Sequence, residues 1–425
     1  MKSALPKVLH PLCGQPMVDY SVRLADALGV RRTVIVVGAG GDRVIAHLPK
    51  TVRPVWQHKR VGTADAVWQT RAVLRGFHGT VLVLYADAPL LRVETARRLV
   101  QVHRASHAAC TLLTAICHDP AGYGRIVRNG HGAVQGVVEE KDATPQERTI
   151  QEINAGPLCI EADLLWQLLP RIPKSRRTGE HYLPEIVRLI AQRNGTTIQT
   201  FVVEDFDEIQ GINSRSELAR AAAVLRRRIA EYHMTRGVTI VDPATTYIDD
   251  DVVIGQDTVI YPSTVIEPHV RIGQRCHIGP FARLRSGVVL GDDVHIGNFV
   301  EVVRTRIGEG VKAMHLTYLG DTTVGAHTNI GAGTITANYD GRVKSQTTIG
   351  RRAFIGSGSI LVAPVRVGDN AVTGAGAVVT RGHDVPSGTT VVGVPARPFQ
   401  RQRHRTTPST RSTSTQRRGA LTRWH

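Results

Sequence analysis

The sequence lacks long apolar runs and paired cysteines. Its 425 residues include no stretch of about 18 apolar residues that could span a bilayer, and the amino-terminal MKSALPKVLH has no apolar export core. The five cysteines are scattered, with no CxxC pair: Cys13, Cys110, Cys117, Cys159 and Cys276. We therefore expect a cytoplasmic protein with no transmembrane segment, whose thiols are reduced and serve as small buried side chains.

Acidic residues are scarce relative to basic ones. The chain has 53 Lys and Arg against 36 Asp and Glu, a net charge of +17, which favours anionic partners such as nucleotides, sugar phosphates or nucleic acid. Residues 401–425 hold seven arginines and no acid, and we expect residues 400–425 to be a disordered basic tail. Few aromatic residues interleave with these arginines, so nucleic acid is the disfavoured partner.

An aliphatic residue returns at every sixth position in the second half of the chain. Nine such positions follow one another without a break: Ile254, Ile260, Ile266, Ile272, Ile278, Leu284, Leu290, Ile296 and Val302. The frame slips near Ile307 and Leu319, and it is interrupted around residues 337–346. A period of six fits neither a helix nor a simple strand, but it is typical of a solenoid of short strands and turns. Glycines often follow the aliphatic residue, and we expect them to permit tight corners. The alternative is a β-sandwich with accidental spacing.

Residues 1–211 alternate between strand-like and helix-like segments. The expected strands are 33–37, 81–85, 110–115 and 198–203, and the expected helices are 18–28, 64–75, 93–103 and 183–193. This alternation predicts a Rossmann-like α/β domain with a mostly parallel sheet and ligands at the carboxyl ends of its strands. We expect residues 212–236 to form a helical linker that is capped by Ser214. We expect residues 237–399 to form the repeat domain.

Two features of the first domain suggest phosphate chemistry. Asp87 follows the apolar run VLVLYA, a position where a carboxylate often holds Mg²⁺, although a helix cap is the alternative. The loop at Gly62 and Thr63 precedes a helix and could offer backbone N–H groups to an anion.

Several strings in order resemble one family. They include LPKVLH, VGTADA, YADAPL, GYGRI, VVEEKDA, IQEINAG, IGPFARLR, IGNFVE, HLTYLGD, NIGAGTI, NYDG, IGSGSILVAP and TGAGAVVTR. Together they resemble the bifunctional bacterial N-acetylglucosamine-1-phosphate uridyltransferase and glucosamine-1-phosphate N-acetyltransferase. The resemblance implies a nucleotidyltransferase domain, a left-handed parallel β-helix of hexapeptide repeats and a homotrimer. It also implies small-molecule substrates, with acetyl-CoA and UTP as co-substrates and Mg²⁺ as cofactor.

The resemblance assigns residues to acetyl transfer. It places the general base at His315, because an imidazole can accept the proton of an attacking amine near neutral pH. It implies sugar-phosphate contacts at Arg285, Val303, Tyr318 and Asn329, and acetyl-CoA contacts at Ala332, Asn338, Tyr339, Ser357 and Ala375. Without the resemblance, a lone histidine in a solenoid is more often an ordinary surface residue.

The resemblance also assigns residues to uridyl transfer. It implies Mg²⁺ ligands at Asp87 and Asn213. It implies UTP or sugar contacts at the same two residues and at Lys7, Gln57, Gly62, Thr63, Tyr85, Ala86, Gly124, Glu139 and Asn154.

The sequence departs from the family pattern at several places. The apolar strand and glycine-rich loop L-A-A-G-x-G-T-R-M-x-S that open the family are missing before Met1, so we expect an N-terminally truncated sheet and little uridyl transfer. Either Met1 is an internal residue of a longer reading frame, or the short protein is real. Ala86 replaces a family glycine, with a modest expected effect. Val303 replaces a family lysine that contacts the sugar phosphate. Either Arg304 substitutes for this lysine imperfectly, or the affinity for the sugar phosphate falls.

Two other functions stay open from the sequence. One is a sugar-1-phosphate nucleotidyltransferase whose β-helix regulates or only oligomerises. The other is a catalytically inactive trimeric scaffold that binds nucleic acid through its tail.

Overall fold

The computed structural model describes residues 1–175 and 177–399. The predicted basic tail at 400–425 lies outside these residues. Within the described residues, no helix combines the length and the apolarity needed to cross a membrane.

The first part of the chain mixes strands and helices. Its strands are Pro11–Leu12 (β1), Gln15–Pro16 (β2), Thr33–Val37 (β3), Val52–Trp56 (β4), Thr80–Val83 (β5), Cys110–Ile116 (β6), Arg125–Arg128 (β7), Val134–Val138 (β8), Glu152–Glu161 (β9) and Ile198–Val202 (β10). Its helices are Met17–Ala27 (α1), Gly41–His47 (α2), Thr63–Gln69 (α3), Val93–Ala105 (α4), Ala162–Leu168 (α5), Glu185–Ala191 (α6) and Arg215–Met234 (α7). Short 3-10 turns occur at Lys7–Leu9, Glu147–Thr149, Leu169–Arg171 and Phe206–Ile209.

The strands of this part form an interrupted sheet. The larger piece has the order β10-β6-β9-β7-β8, with β5 also paired to β9. Strands β10 and β6 are parallel, and β9 is antiparallel to both β5 and β6, so β5, β6 and β10 run in one direction. Strands β3 and β4 form a separate parallel pair, and a groove of about 890 Å³ lies between β3 and β5. The four expected strands are present.

Helix α7 connects this part to the repeats. Ser214 caps it through a reciprocal capping box with Glu217, as the serine at this position predicts. Leu225 and Ile229 of α7 belong to the same apolar cluster as the first repeats. The helix is therefore packed as a plug against one end of the repeat region rather than left as a free spacer.

The repeats form a three-sided prism of short strands. Face 1 contains Thr239–Ile240, Val259–Ile260, His277–Ile278, His295–Asn298, Lys312–His315, Asn329–Ile330, Phe354–Ile355, Val372–Thr373, Thr390–Val392 and Arg397–Pro398. Face 2 contains Tyr247–Ile248, Val265–Ile266, Arg283–Leu284, Glu301–Val303, Tyr318–Gly320, Ile335–Ala337, Ile360–Val362 and Val378–Val379. Face 3 contains Val253–Ile254, Arg271–Ile272, Val289–Leu290, Arg306–Ile307, Thr322–Val324, Thr347–Ile349 and Val365–Val367.

The hexad aliphatics form the core of this prism. Ile266 pairs in parallel with Leu284, which pairs with Val302 in the next coil, and each is at most 1% exposed. The neighbouring Val265 points outward and is 36% exposed. Three strands per coil and parallel pairing between coils make this the left-handed parallel β-helix expected from the hexads.

Glycines recur at the corner between faces 3 and 1 because the backbones of successive coils approach each other closely there, not because the turn needs a glycine. A Cβ at Gly273 would lie 2.6 Å from the backbone of Gly291 in the next coil. The positive φ angles at this corner belong to other residues, such as Arg275 at 55° and Asp293 at 57°. The expectation that these glycines permit the tight turn is therefore wrong: they let successive coils stack.

The slips in the hexad frame have a local cause. The corner between faces 2 and 3 is one residue shorter at Arg304, and again at Asp321, than in the preceding coils. Both residues have positive φ angles, of 46° and 49°. The interruption after Ala337 is a loop, residues 338–346, inserted at this same corner before the coil resumes at Thr347.

We expect Ile266→Ala to lower the free energy of unfolding by about 2–5 kcal/mol, because it removes buried methyl groups and leaves a cavity in the prism. Val265→Ala, at the outward neighbour in the same strand, is the control and should cost far less. Chemical denaturation of both variants measures this. Equal losses would contradict an inward stack at the hexad positions.

Candidate functional site

The first cluster of predicted site residues lies at the carboxyl end of β5. Lys7 donates from Nζ to Asp87 Oδ2 at 2.6 Å and to Asn213 Oδ1 at 2.8 Å. The backbone N–H of Ile212 also donates to the Asp87 carbonyl, which ties the two segments together. Lys7, Asp87 and Asn213 thus meet although they are far apart in the sequence. The two side-chain oxygen atoms of Asp87 and Asn213 both contact the Lys7 ammonium group.

Other residues predicted for the nucleotide and sugar surround this point. Burial, together with the nearby carboxylates of Glu139 and Asp87, raises the pKa of Tyr85 to about 12. Burial also raises the pKa of Glu139. Gly124 lies against the Glu139 carboxyl group, and its carbonyl accepts from the backbone N–H of Asn154. Ala86 is half-buried between Tyr85 and Asp87. These contacts place Tyr85 near Asp87 and Glu139, and Glu139 near Gly124 and Asn154.

The loop at Gly62 and Thr63 differs from the sequence expectation. The N–H of Ala64 donates to the His181 carbonyl, and the Thr63 hydroxyl accepts from the N–H of Leu183. Gln57 donates to the Gly62 carbonyl and to Asp65. The expected free N–H groups are thus partly used in packing the loop against residues 181–183. Gly62 is required because a Cβ there would overlap the His181 backbone.

His315 lies at the corner between faces 1 and 2, at the end of its face 1 strand. Its Nδ1 is 2.9 Å from Oδ1 of Asn298 in the previous coil. Because an amide oxygen can only accept, Nδ1 carries the hydrogen in the neutral ring and Nε2 keeps a free lone pair. The exposed His315 side chain is therefore held in the tautomer that a general base needs.

Three predicted acetyl-CoA residues continue this corner. The carbonyl of His315 accepts from Gly333 in the next coil, that of Ala332 from Gly358, and that of Ser357 from Gly376. His315, Ala332, Ser357 and Ala375 therefore occupy equivalent places in four successive coils. Glycines flank the last three, which leaves a column of small side chains rising from the histidine.

The corner between faces 2 and 3 carries a second group. Arg304 donates to both carboxylate oxygens of Asp321, at 2.6 and 2.7 Å, and Asn338 donates to the same carboxylate. This ion pair lowers the pKa of Asp321. Val303 is buried. The idea that Arg304 replaces the family lysine is not supported, because its guanidinium group is already engaged.

The predicted sugar-phosphate residues are divided between two faces. Arg285 follows a face 2 strand, with its NH1 3.5 Å from Glu301, and Tyr318 lies beside Glu301 in the next coil. The Tyr318 hydroxyl lies close to Gly320. A Cβ added at Gly320 would lie 2.8 Å from Asn338 Nδ2, so Asn338 is close as well. Asn329, in contrast, lies on face 1 beside Lys312. A single chain does not place all four predicted residues on one face.

The inserted loop 338–346 is held by its own contacts. The Tyr339 hydroxyl donates to the Gly341 carbonyl, and its side chain is 59% exposed. Asp340 accepts from the N–H groups of Arg342 and Val343 and pairs with Arg381 at 3.2 Å. The loop therefore presents Tyr339 outward from an ordered turn.

Asn298 and Asp321 were not singled out from the sequence. Both could have been found by counting along the coil. Asn298 lies 17 residues before His315, and Asp321 lies 17 residues after Arg304, which is one turn of the shortened coil in each case.

The fold and these clusters define a class: a nucleotidyltransferase-type domain followed by a hexapeptide-repeat transferase. The MobA-like NTP transferase domain family matches residues 1–151. Two hexapeptide families match the coil: the bacterial transferase hexapeptide (six repeats) at residues 251–286 and 269–304, and the hexapeptide repeat of succinyl-transferase at 346–381.

Full-length relatives identify the family. The bifunctional protein GlmU of Geobacillus thermodenitrificans is 43% identical, covering 92% of this chain and 92% of the relative. GlmU of Geobacillus sp. strain WCH70 is 42% identical, covering 91% of each. GlmU of Pelotomaculum thermopropionicum is 44% identical, covering 86% of this chain and 87% of the relative. The chain belongs to the family of bifunctional GlmU proteins.

We expect Gly297→Ala to displace the strand that carries His315, because the added Cβ would overlap the Met314 carbonyl in the next coil. The strain should cost about 1–3 kcal/mol of stability and reduce acetyl transfer. Gly130→Ala is the control, since nothing lies within 4 Å of its added Cβ. Thermal unfolding and initial rates measure both effects. Wild-type behaviour of Gly297→Ala would show that the close approach is unimportant.

Proposed function

We propose that the two parts of the chain perform successive steps in making UDP-N-acetylglucosamine. Residues 237–399 transfer acetyl from acetyl-CoA to the amine of glucosamine-1-phosphate. Residues 1–211 transfer uridylyl from UTP to the product and release pyrophosphate, and residues 212–236 link the two domains. Membership in a family of bifunctional transferases supports this pair of activities. The observation that carries the first step is the His315–Asn298 pair at the foot of the small-residue column.

The tautomer of His315 leaves Nε2 free to act as the general base in acetyl transfer. Nε2 accepts a proton from the sugar amine as the nitrogen attacks the thioester carbonyl. The C–N bond forms, the carbonyl electrons move to oxygen, and their return breaks the C–S bond. The imidazolium then gives its proton to the departing thiolate. Asn298 holds the ring throughout by accepting from Nδ1.

The column above His315 is suited to an extended cofactor arm. Successive coils are separated by about 4.8 Å, so Ala375 lies about 14 Å along the corner from His315. Ala332 is half-buried, and Ser357 and Ala375 are exposed, so small side chains line this corner. We assign the column to acetyl-CoA, together with Asn338 and Tyr339 of the loop at the corner between faces 2 and 3.

A homotrimer completes the sugar site. Arg285 and Tyr318 lie on face 2 and Asn329 lies on face 1, so a neighbouring chain is needed to bring such residues together. The corner beside His315 offers a contact surface: Phe281 and Phe299 stack at 5.1 Å, are 52% and 56% exposed, and are followed by Leu316 at 64%. Large apolar side chains exposed in a row favour burial against another subunit.

The first cluster is suited to Mg²⁺ and UTP. Asp87 Oδ2 and Asn213 Oδ1 both lie within 2.8 Å of one ammonium group, and hard oxygen ligands of this kind fit Mg²⁺. When bound, Mg²⁺ neutralises phosphate charge. Lys7 contacts phosphate as a point charge, whereas Glu139 and Asn154 orient the sugar hydroxyls. Gln57, Gly62, Thr63, Gly124, Tyr85 and Ala86 form the remaining walls. A cytoplasmic location stays a prediction.

We expect His315→Ala to reduce kcat for acetyl transfer by about 10²–10⁴-fold, the usual contribution of a general base. The control is His383→Ala, an exposed histidine elsewhere on the coil. Thiol release from acetyl-CoA with glucosamine-1-phosphate measures both. Unchanged transfer in His315→Ala would eliminate this base and favour a coil that only regulates or oligomerises.

We expect Asp87→Asn to abolish uridyl transfer, because Asp87 supplies one of the two oxygen atoms that converge on the Lys7 ammonium group. Pyrophosphate release with UTP, N-acetylglucosamine-1-phosphate and Mg²⁺ measures this, and acetyl transfer by the same sample controls for folding. Unchanged pyrophosphate release by Asp87→Asn would contradict the assignment of this carboxylate to Mg²⁺.

A further inference from the structure

The inserted loop 338–346 begins with a polar side chain that is held in place by the coil beneath it. Asn338 is 7% exposed. Its carbonyl accepts from the N–H of Ser345 at 2.8 Å, which closes the neck of the loop. Its side chain donates from Nδ2 to Oδ2 of Asp321. Both the backbone and the side chain of Asn338 are therefore fixed by the chain itself.

The contact belongs to a ladder at the corner between faces 2 and 3. Arg304, Asp321 and Asn338 follow one another at intervals of 17 residues. Parallel pairing of Tyr318 with Ile335 sets the register, so Asp321 and Asn338 occupy equivalent places in successive coils. Each side chain of the ladder contacts the next one.

The direction of the Asn338 amide follows from the charge of its partner. Arg304 donates to both carboxylate oxygens of Asp321, at 2.6 and 2.7 Å. The hydrogen bonds from Arg304 and Asn338, together with the charge of Lys344, lower the pKa of Asp321, so this carboxyl group is an anion near neutral pH. A carboxylate can only accept. The atom of Asn338 in contact with it is therefore the amide nitrogen, and Oδ1 is the free end.

An arginine–aspartate pair of the same kind occurs at the corner between faces 3 and 1. Arg275 donates to both carboxylate oxygens of Asp293, at 2.9 and 2.7 Å. The next place in that ladder is Gly310, which has no side chain. Such a pair can thus link two coils by itself, whereas the pair at the corner between faces 2 and 3 continues into an amide.

The free end of Asn338 lies beside predicted ligand contacts. A Cβ added at Gly320 would lie 2.5 Å from the Tyr318 hydroxyl and 2.8 Å from Asn338 Nδ2. A residue predicted to contact sugar phosphate and one predicted to contact acetyl-CoA therefore lie against the same glycine. Among the described residues, no donor is hydrogen-bonded to Oδ1 of Asn338, and this atom reaches solvent. It is the acceptor that a ligand bound here would meet.

We propose that Asp321 is a positioning residue for acetyl transfer, which directs Oδ1 of Asn338 toward an amide N–H group of bound acetyl-CoA. The arm of this molecule contains amide N–H groups, and each of them is a donor that matches an oxygen acceptor. Arg304 acts one step further away, because it fixes the plane and the charge of the Asp321 carboxylate. Asp321 itself contacts no part of the ligand. This role rests on the acetyl transfer proposed above.

Asp321→Asn tests the role with little change in shape. Asparagine suits the positive φ angle of 49° at this place, but it replaces one acceptor by a donor. This donor faces either Arg304 or the amide nitrogen of Asn338, so the Asn338 amide loses its fixed direction. We expect KM for acetyl-CoA to rise about fivefold or more, the usual effect of one hydrogen bond, with kcat within about twofold of wild type. Thiol release with glucosamine-1-phosphate measures both constants.

The matched control is Asp293→Asn, because Asp293 also has a positive φ angle, of 57°, and also accepts from an arginine through both oxygens. It breaks the same type of pair without reaching Asn338, so KM for acetyl-CoA should stay at the wild-type value. Arg304→Met is the second variant if Asp321→Asn does not fold. It releases the Asp321 carboxylate from the other side and should also raise KM for acetyl-CoA.

Ester analogues of acetyl-CoA test the hydrogen bond itself, because an ester in place of an amide of the arm removes one N–H group. Wild type should lose about fivefold in kcat/KM with one of these analogues, whereas Asp321→Asn should lose less than about twofold with the same compound. Equal losses in the two proteins, no loss in wild type with any analogue, or a rise in KM for glucosamine-1-phosphate alone would overturn the proposal. Absence of acetyl transfer in the wild-type chain would refute the proposed function, and this role with it.

Discussion

The structure depends on parallel stacking of short strands around a column of aliphatic side chains. Each coil contributes three inward residues, and each strand satisfies its backbone only through the coils above and below it. Residues at equivalent places in successive coils are therefore held in line whatever their side chains. This constraint sets Asn298 beside His315 and places Ala332, Ser357 and Ala375 in one column above it. The site is assembled by coil spacing rather than by a preformed pocket.

The first domain is organised differently, because its predicted site residues converge from distant loops. Lys7, Asp87 and Asn213 meet through side-chain contacts, and Tyr85 and Glu139 lie beside them. The cluster sits at the end of β5, whose other edge borders the groove. The β-helix site, in contrast, rests on strands that pair from one coil to the next.

Much of the architecture could be predicted from the sequence, because the hexad period and the strand–helix alternation are direct consequences of which side chains are buried. Strand β9 was missed since Gly156 and Pro157 interrupt its apolar pattern. The role of Gly273 was misread, because a sequence shows that a glycine is present but not which backbone approaches it. The Arg304–Asp321 pair was missed as well, since a contact between coils appears only when the shortened repeat is counted in three dimensions.

In the proposed mechanism, stacked coils align an acetyl donor with the imidazole of His315. A crystal structure of the chain with acetyl-CoA tests it most directly. We expect the extended arm to follow the corner between faces 1 and 2 past Ala375, Ser357 and Ala332, with the thioester next to Nε2 of His315. An acetyl-CoA bound on face 3, or with its thioester remote from that nitrogen, would contradict it.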